Sequence, residues 1–372
     1  MRFGASSAAA RWVVPRAAAN RQAMRESAAA RRVHVAVDAH NLASDDRGIG
    51  RYARAVLVRA LRDPGFRFTL VVRQMFPRAK PLARALDGAV VVVANRVPRD
   101  AGVVWFPWNG TFLNSAAPSV ATVHDAGPFV YPASSPLRRA REQGPFLRTA
   151  ATARRILVQS QFTAREVERW LGVVPARIVV TPLAADPRIF QPGEVGALPS
   201  GLRAGGYLLY VGAHDERKNT GTMIEAYARA FPGGDPPLAF TRPPPTLPLG
   251  GVVLEACDDA GLAELYRGAA LVVAPSPYEG FGLPALEAMA CGAPVLAARG
   301  GGLAEIGGNA VAWVDEPLSV EAWTSAMRAL VADGGERARL GALGPPHAAT
   351  FSWDRCAAQT LAVLGEVAEA AN

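Results

Sequence analysis

Lysine is nearly missing from this chain. Of its 40 basic residues only Lys80 and Lys218 are lysine, so the place of each is worth inspecting. Cysteine is scarce as well. Cys257, Cys291 and Cys356 stand far apart, without the close pairs of a zinc site, and point to a reducing compartment rather than a disulfide framework. No run of about 18 or more apolar residues occurs, which argues against a membrane-spanning helix. Acidic residues are almost absent from positions 1–32, which hold seven arginines and only Glu26. That segment carries six of the eight net positive charges, and the 33 basic and 31 acidic residues beyond it nearly cancel. The overall charge therefore gives no reason to expect nucleic acid, and neither zinc-finger spacing nor an aromatic RNA-binding motif is present. Residues 1–32 are expected to be a disordered extension, of which an arginine-rich transit peptide is one form, or the product of a misplaced start with Met24 a candidate for the true one, and are set apart from the fold.

What is present suits two globular domains. The chain has 372 residues and half are hydrophobic, enough for two full cores. Val33–Asp38 reads as a buried strand. It is followed by Gly48-Ile49-Gly50-Arg51-Tyr52-Ala53, which opens a helix expected over Tyr52–Leu61. The glycine spacing approaches a dinucleotide fingerprint, but the next strand, Phe66–Arg73, ends on Arg73 where the ribose would require an acid. A hydride-transfer cofactor is therefore not expected. Strands over Ala89–Ala94, Val103–Phe106 and Ser119–Val123 follow, the last running into His124-Asp125. A His-Asp pair at the carboxyl end of a parallel strand lies where open α/β sheets bind ligands. Strand Ile156–Ser160, helix Ala164–Leu171 and strand Val173–Pro182 complete the half. The second half opens on strand Tyr207–Gly212, then Arg217-Lys218-Asn219, then helix Thr222–Phe231. There Lys218 sits between a strand end and a helix start, where its ammonium can reach a diphosphate.

The chain is organised around Ala274–Glu305. An apolar strand, Ala269–Ala274, gives way to Gly280-Phe281-Gly282-Leu283 and a helix over Pro284–Cys291. Free N–H groups and the positive end of the helix dipole make such a turn an anion site. Glu279 stands just before it and Glu287 one turn inside the helix. Phosphate donors set between two hydroxyl acceptors suit a nucleotide sugar.

The spacing Glu279-x7-Glu287 around G-F-G-L-P resembles the signature of glycosyltransferase family 4, retaining enzymes of two Rossmann-like domains. G-I-G-R-Y-A-R and the run Q-S-Q-F-T-A-R-E-V resemble the same family. The resemblance implies an α/β fold of GT-B type, two doubly wound Rossmann-like domains facing across a cleft. It implies an acceptor domain over 33–190, a nucleotide-sugar domain over 191–352, and a terminal helix over 353–372 packing back on the first domain. Glu287 would take the ribose hydroxyls and Glu279 the donor sugar, with the N–H groups of Phe281, Gly282 and Leu283 facing the distal phosphate. Lys218, with Arg217, would offset charge on the departing diphosphate, and His124 would hold the sugar or leaving group from across the cleft. Gly48, Gly50, Arg51, Tyr52 and Asp125 fall on the acceptor side. The implied reaction moves a hexose, first of all mannose from GDP-mannose, to a glycan or lipid-linked acceptor. No cofactor is expected, and no metal, because no acidic metal cluster is visible in the sequence. A sugar-nucleotide epimerase or a degenerate nucleotide-binding member are the alternatives. The basic stretch 137–155 suggests peripheral contact with anionic lipid, so the expected location is cytoplasmic, at the inner face of the membrane.

One segment departs from the pattern. Strands are expected over Pro236–Phe240 and Gly251–Glu255, yet only Thr241–Gly250 lies between them, and Pro243, Pro244, Pro245 and Pro248 cannot continue a helix. The expectation is an extended connection, with the adjoining part of the sheet exposed or weakly packed.

Overall fold

The computed structural model describes residues 32–371 except 46–47 and 74–78, so the expected extension lies, but for Arg32, outside the described residues. Seven strands form the first sheet: β1 (Val33–Asp38), β2 (Phe66–Val71), β3 (Val92–Ala94), β4 (Val103–Asn109), β5 (Ser119–Thr122), β6 (Arg155–Val158) and β7 (Ile178–Val180). Their order is β3-β2-β1-β4-β5-β6-β7, and every pairing is parallel. A parallel sheet is covered on both faces, which is why β1 is buried from its second residue onward and reads as a near-continuous apolar run. Five helices connect these strands: α1 (Gly48–Ala60), α2 (Ala79–Ala85), α3 (Gly127–Val130), α4 (Pro136–Thr152) and α5 (Gln161–Leu171). Along α1 the buried positions Gly50, Tyr52, Ala53, Val56, Leu57 and Ala60 recur at helical spacing, and that stripe lies on the sheet.

The second sheet repeats the plan with six strands: β8 (Leu208–Tyr210), β9 (Leu238–Phe240), β10 (Gly251–Val253), β11 (Leu271–Ala274), β12 (Val295–Ala298) and β13 (Ala312–Val314). Its order, β10-β9-β8-β11-β12-β13, again turns back after the first strand. Helices α6 (Thr220–Ala230), α7 (Asp259–Gly268), α8 (Leu283–Ala290), α9 (Gly301–Ile306), α10 (Val320–Ala332) and α11 (Gly334–Ala348) belong to this half. The final helix, α12 (Trp353–Glu369), returns to pack on α1 and against β1, β4, β5 and β6. No helix among the described residues is long and apolar enough to cross a membrane.

Three departures from the expected elements have physical causes. Of Ala89–Ala94 only Val92–Ala94 pairs, because it is an edge strand with Val92 itself exposed. Helix α11 was not expected, since Pro345 and Pro346 lie inside it. Its glycines explain it: a Cβ on Gly344 would lie 2.6 Å from the Met289 carbonyl, and one on Gly341 would lie 2.7 Å from that of Gly292. Close packing against α8, helped by the Asp333 cap on the Glu336 N–H (2.9 Å), outweighs poor propensity. Between β9 and β10 there is indeed no helix. The expected loosening of the sheet is confined to its edge, however: Leu238, Ala239 and Phe240 are fully buried, whereas Val253 in β10 is 43% exposed.

Candidate active site between the two sheets

Both sheets turn their carboxyl ends to the cleft between them. On the second, β11 runs into Pro275 and the loop that precedes α8. Gly282 ends this loop in the left-handed region (φ 97°), a conformation that favours glycine, and Pro284 occupies the first turn. The N–H groups of Phe281, Gly282 and Leu283 donate to no backbone carbonyl among the described residues. Gly280 has no room for a side chain, since a Cβ there would meet the His124 carbonyl at 1.8 Å. Its own carbonyl accepts from the Ser160 and Thr163 hydroxyls at 2.6 and 3.1 Å. The loop is thus docked on the first domain, and Glu305 ties α9 to the same domain by accepting from the Gln161 and Phe162 N–H groups at the start of α5 (2.9 and 3.0 Å).

The charged side chains form pairs, several of them across the cleft. Lys218, in the short turn Glu216–Lys218, donates to Glu279 Oε1 at 2.6 Å within the second domain. Asn219 pins that turn to the β11 loop by donating to the Pro275 carbonyl at 3.2 Å and to that of Pro317 at 2.6 Å. Arg217 reaches across to Asp125 at 2.9 Å. In the opposite direction Arg51, on α1, donates to Glu287 Oε1 at 2.6 Å and also pairs with Asp259. Glu287 is almost wholly buried, and its second oxygen accepts from Tyr266 at 3.3 Å. Burial pushes the Glu287 carboxyl up to about 7, against the downward pull of Arg51. Burial works against the charge on Arg51 as well, but Glu287 and Asp259 outweigh it and raise its pKa. A hollow opens beside this cluster, with Arg51, Phe190 and Asp259 among its lining.

On the first sheet His124 is buried, with its Nε2 2.9 Å from the Pro107 carbonyl; that contact places the proton on Nε2 and leaves Nδ1 as an acceptor. Burial lowers its pKa, which favours the neutral ring. Tyr52 lies wholly inside the core, edge-on to the His124 ring at 5.0 Å and bonded to Thr122 at 3.2 Å. It therefore backs His124 and cannot touch an acceptor. Gly48 and Gly50 begin α1, and a Cβ on Gly50 would meet the Asp45 carbonyl at 1.8 Å. Sequence reasoning missed Tyr278, whose hydroxyl donates to Glu166 at 3.0 Å and accepts from the Ala126 N–H at 3.2 Å. It also missed Asp259 and Tyr266, since side-chain partners this distant leave no local pattern.

Residues 22–188 match the family described as Glycosyltransferase Family 4, and residues 252–345 match Glycosyl transferases group 1. The O-antigen chain mannosyltransferase B of Escherichia coli is 31% identical over 263 residues, 65% of this chain and 69% of that protein. The chain belongs to glycosyltransferase family 4. Other relatives of this glycosyltransferase include an MMP alpha-(1->4)-mannosyltransferase of Mycolicibacterium hassiacum, 32% identical over 58% of this chain and 55% of the relative. A D-inositol 3-phosphate glycosyltransferase of Kribbella flavida is 31% identical over 58% of this chain and 57% of its own length. The chain thus spans little more than half the length of these two. Sucrose-phosphate synthase from Thermosynechococcus elongatus superposes with a TM-score of 0.67 at 20% identity, over 91% of this chain and all of that one. Anabaena HepE, solved with UDP and glucose, superposes with a TM-score of 0.65 at 15% identity, over 90% and 99% of the two chains. At those identities the likeness is one of fold, and the fold is GT-B.

Proposed function

We propose that this glycosyltransferase moves a hexose, mannose from GDP-mannose in the first place, to a hydroxyl of a glycan or lipid-linked acceptor with retained anomeric configuration. The observation that carries the reading is the row Glu279, loop N–H groups, Glu287, with the rare Lys218 on Glu279. In this reading Glu287 exchanges Arg51 for the ribose hydroxyls and Glu279 holds the donor sugar. The N–H groups of 281–283 take the distal phosphate. Lys218 and Arg217 stabilise charge that grows on the departing diphosphate, the kind of preorganised field that is commonly the largest catalytic contribution. His124, neutral, offers Nδ1 to a sugar hydroxyl. The two cations and the helix start supply this field from the protein itself, so transfer is expected to survive EDTA. The printed names of two relatives favour mannose, and the UDP and glucose in HepE favour a nucleotide sugar as the donor class.

The same reading brings the acceptor domain to the inner face of a membrane. Arg138, Arg139, Arg141 and Arg148 lie on α4 together with the exposed Leu137 and Leu147, a combination suited to anionic lipid. The test is a panel of nucleotide sugars, each incubated with and without saccharide acceptors. Acceptor-dependent consumption of one donor with retained configuration is expected. Interconversion of the donor without acceptor would instead identify an epimerase, and nucleotide binding without turnover a degenerate member.

A further inference from the structure

The carboxyl end of the first sheet has its own reversal point, between β1 and β4, and ligands of open α/β sheets bind at such points. Asp38 ends β1 there and is completely buried. Its Oδ1 accepts from His40 Nδ1 at 2.7 Å, and its Oδ2 has no hydrogen-bond partner among the described residues. A buried carboxylate with one oxygen unpaired is costly, and scaffolding alone does not require it. It does give His40 a fixed tautomer. With the proton on Nδ1 held by Asp38, Nε2 becomes a hydrogen-bond acceptor, as in other carboxylate-oriented histidines. His40 is 20% exposed, and its Nε2 makes no bond among the described residues. The ring stands edge-on to Trp108 at 5.8 Å and to Phe112 at 5.5 Å. Trp108 is anchored by donating to the Asp38 carbonyl at 2.8 Å, whereas Phe112 is only half-buried. None of these groups belongs to the donor row.

We propose that His40, oriented by Asp38, and Phe112 form a saccharide subsite that takes the acceptor. A hydroxyl of the acceptor sugar donates to His40 Nε2, and the C–H face of the same sugar ring lies against Phe112. A polyhydroxylated ring fits this chemistry: one hydrogen-bond acceptor held in place, one aromatic ring beside it, and the Arg73 guanidinium carbon 5.9 Å from the centroid of that ring as a further donor for hydroxyls. The inference rests on the sugar-transferase reading for its role, but the subsite can be tested apart from turnover.

The experiment titrates methyl α-mannoside and a mannobiose into the full chain, with GDP present, and follows binding by ligand-observed NMR. His40→Ala is expected to weaken saccharide binding about tenfold or more, the scale of one lost hydrogen bond together with lost packing. His40→Gln, whose amide oxygen can accept in place of Nε2, should recover part of it. Asp38→Asn should weaken binding without removing the ring. Affinity for GDP and the melting temperature serve as controls for folding. Saccharide that binds wild type and His40→Ala equally, or fails to bind wild type at all, would overturn the subsite. Saccharide lost with His40 from a protein that turns over no nucleotide sugar would uphold the subsite and sink the transferase reading instead.

Discussion

The two sheets share the order of their first six strands, the first adding β7 at its edge, and one of the connections in which they differ is instructive. In the first, the crossover from β2 to β3 carries helix α2; in the second, the equivalent crossover from β9 to β10 carries none. Four prolines in ten residues remove the helix, yet β10 still pairs in parallel beside β9 in matched register. Strand order is therefore specified by the buried strands, and an outer crossover can lose its helix without losing the sheet. A second difference bears on function. The second sheet presents two carboxylates, a lysine and a helix start, while the first presents His124, Asp125 and the Asp38–His40 pair. Between them charge is exchanged in both directions, Arg51 to Glu287 and Arg217 to Asp125. In the proposed reading, two copies of one architecture carry different halves of one reaction.

That division of labour can be broken by substitution. Lys218→Gln should lower turnover by about 100- to 1,000-fold, the scale of losing one preorganised group at a site of developing charge. Its affinity for the nucleoside alone should change far less if the ammonium acts, as proposed, on the diphosphate. Equal losses for nucleoside and nucleoside diphosphate would take Lys218 out of the phosphate site. A smaller effect sharpens the comparison of the sheets. In hydrogen exchange, amides of Gly251–Val253 should exchange well ahead of Leu271–Ala274, since β10 is an edge with Val253 exposed. Leu238–Phe240 should be protected like β11, being buried and paired on both sides. Fast exchange at Leu238–Phe240 would show that the missing helix weakens more than the edge.

Part of the turn between Glu279 and Glu287 was legible because Gly282 answers a local requirement. Gly282 is dictated by a left-handed turn, a demand that stays near in sequence, whereas the demand on Gly280 comes from the His124 carbonyl of the other domain. The absent crossover helix was legible for the same reason, from prolines alone. Partners distant in sequence were not legible. Nothing local says that Arg51 meets Glu287, that Tyr278 meets Glu166, or that Glu305 caps α5. Tyr52 could have been placed correctly, since it falls on the buried stripe of α1, but its neighbours in the glycine motif drew it toward the acceptor. Helix α11 was hidden because its glycines and prolines read as a break, whereas contact with Met289 and Gly292 makes the small residues necessary.

The proposed donor site depends most directly on Glu287, a buried carboxylate that ribose hydroxyls are to reach in place of Arg51. Calorimetric titration of GDP and UDP into wild type and Glu287→Ala, at matched melting temperature, measures this. The variant should bind the preferred nucleotide more weakly by about 1.5–3 kcal/mol, the worth of a hydrogen bond to a charged group. Unchanged affinity in a folded Glu287→Ala protein would contradict the donor site as assigned.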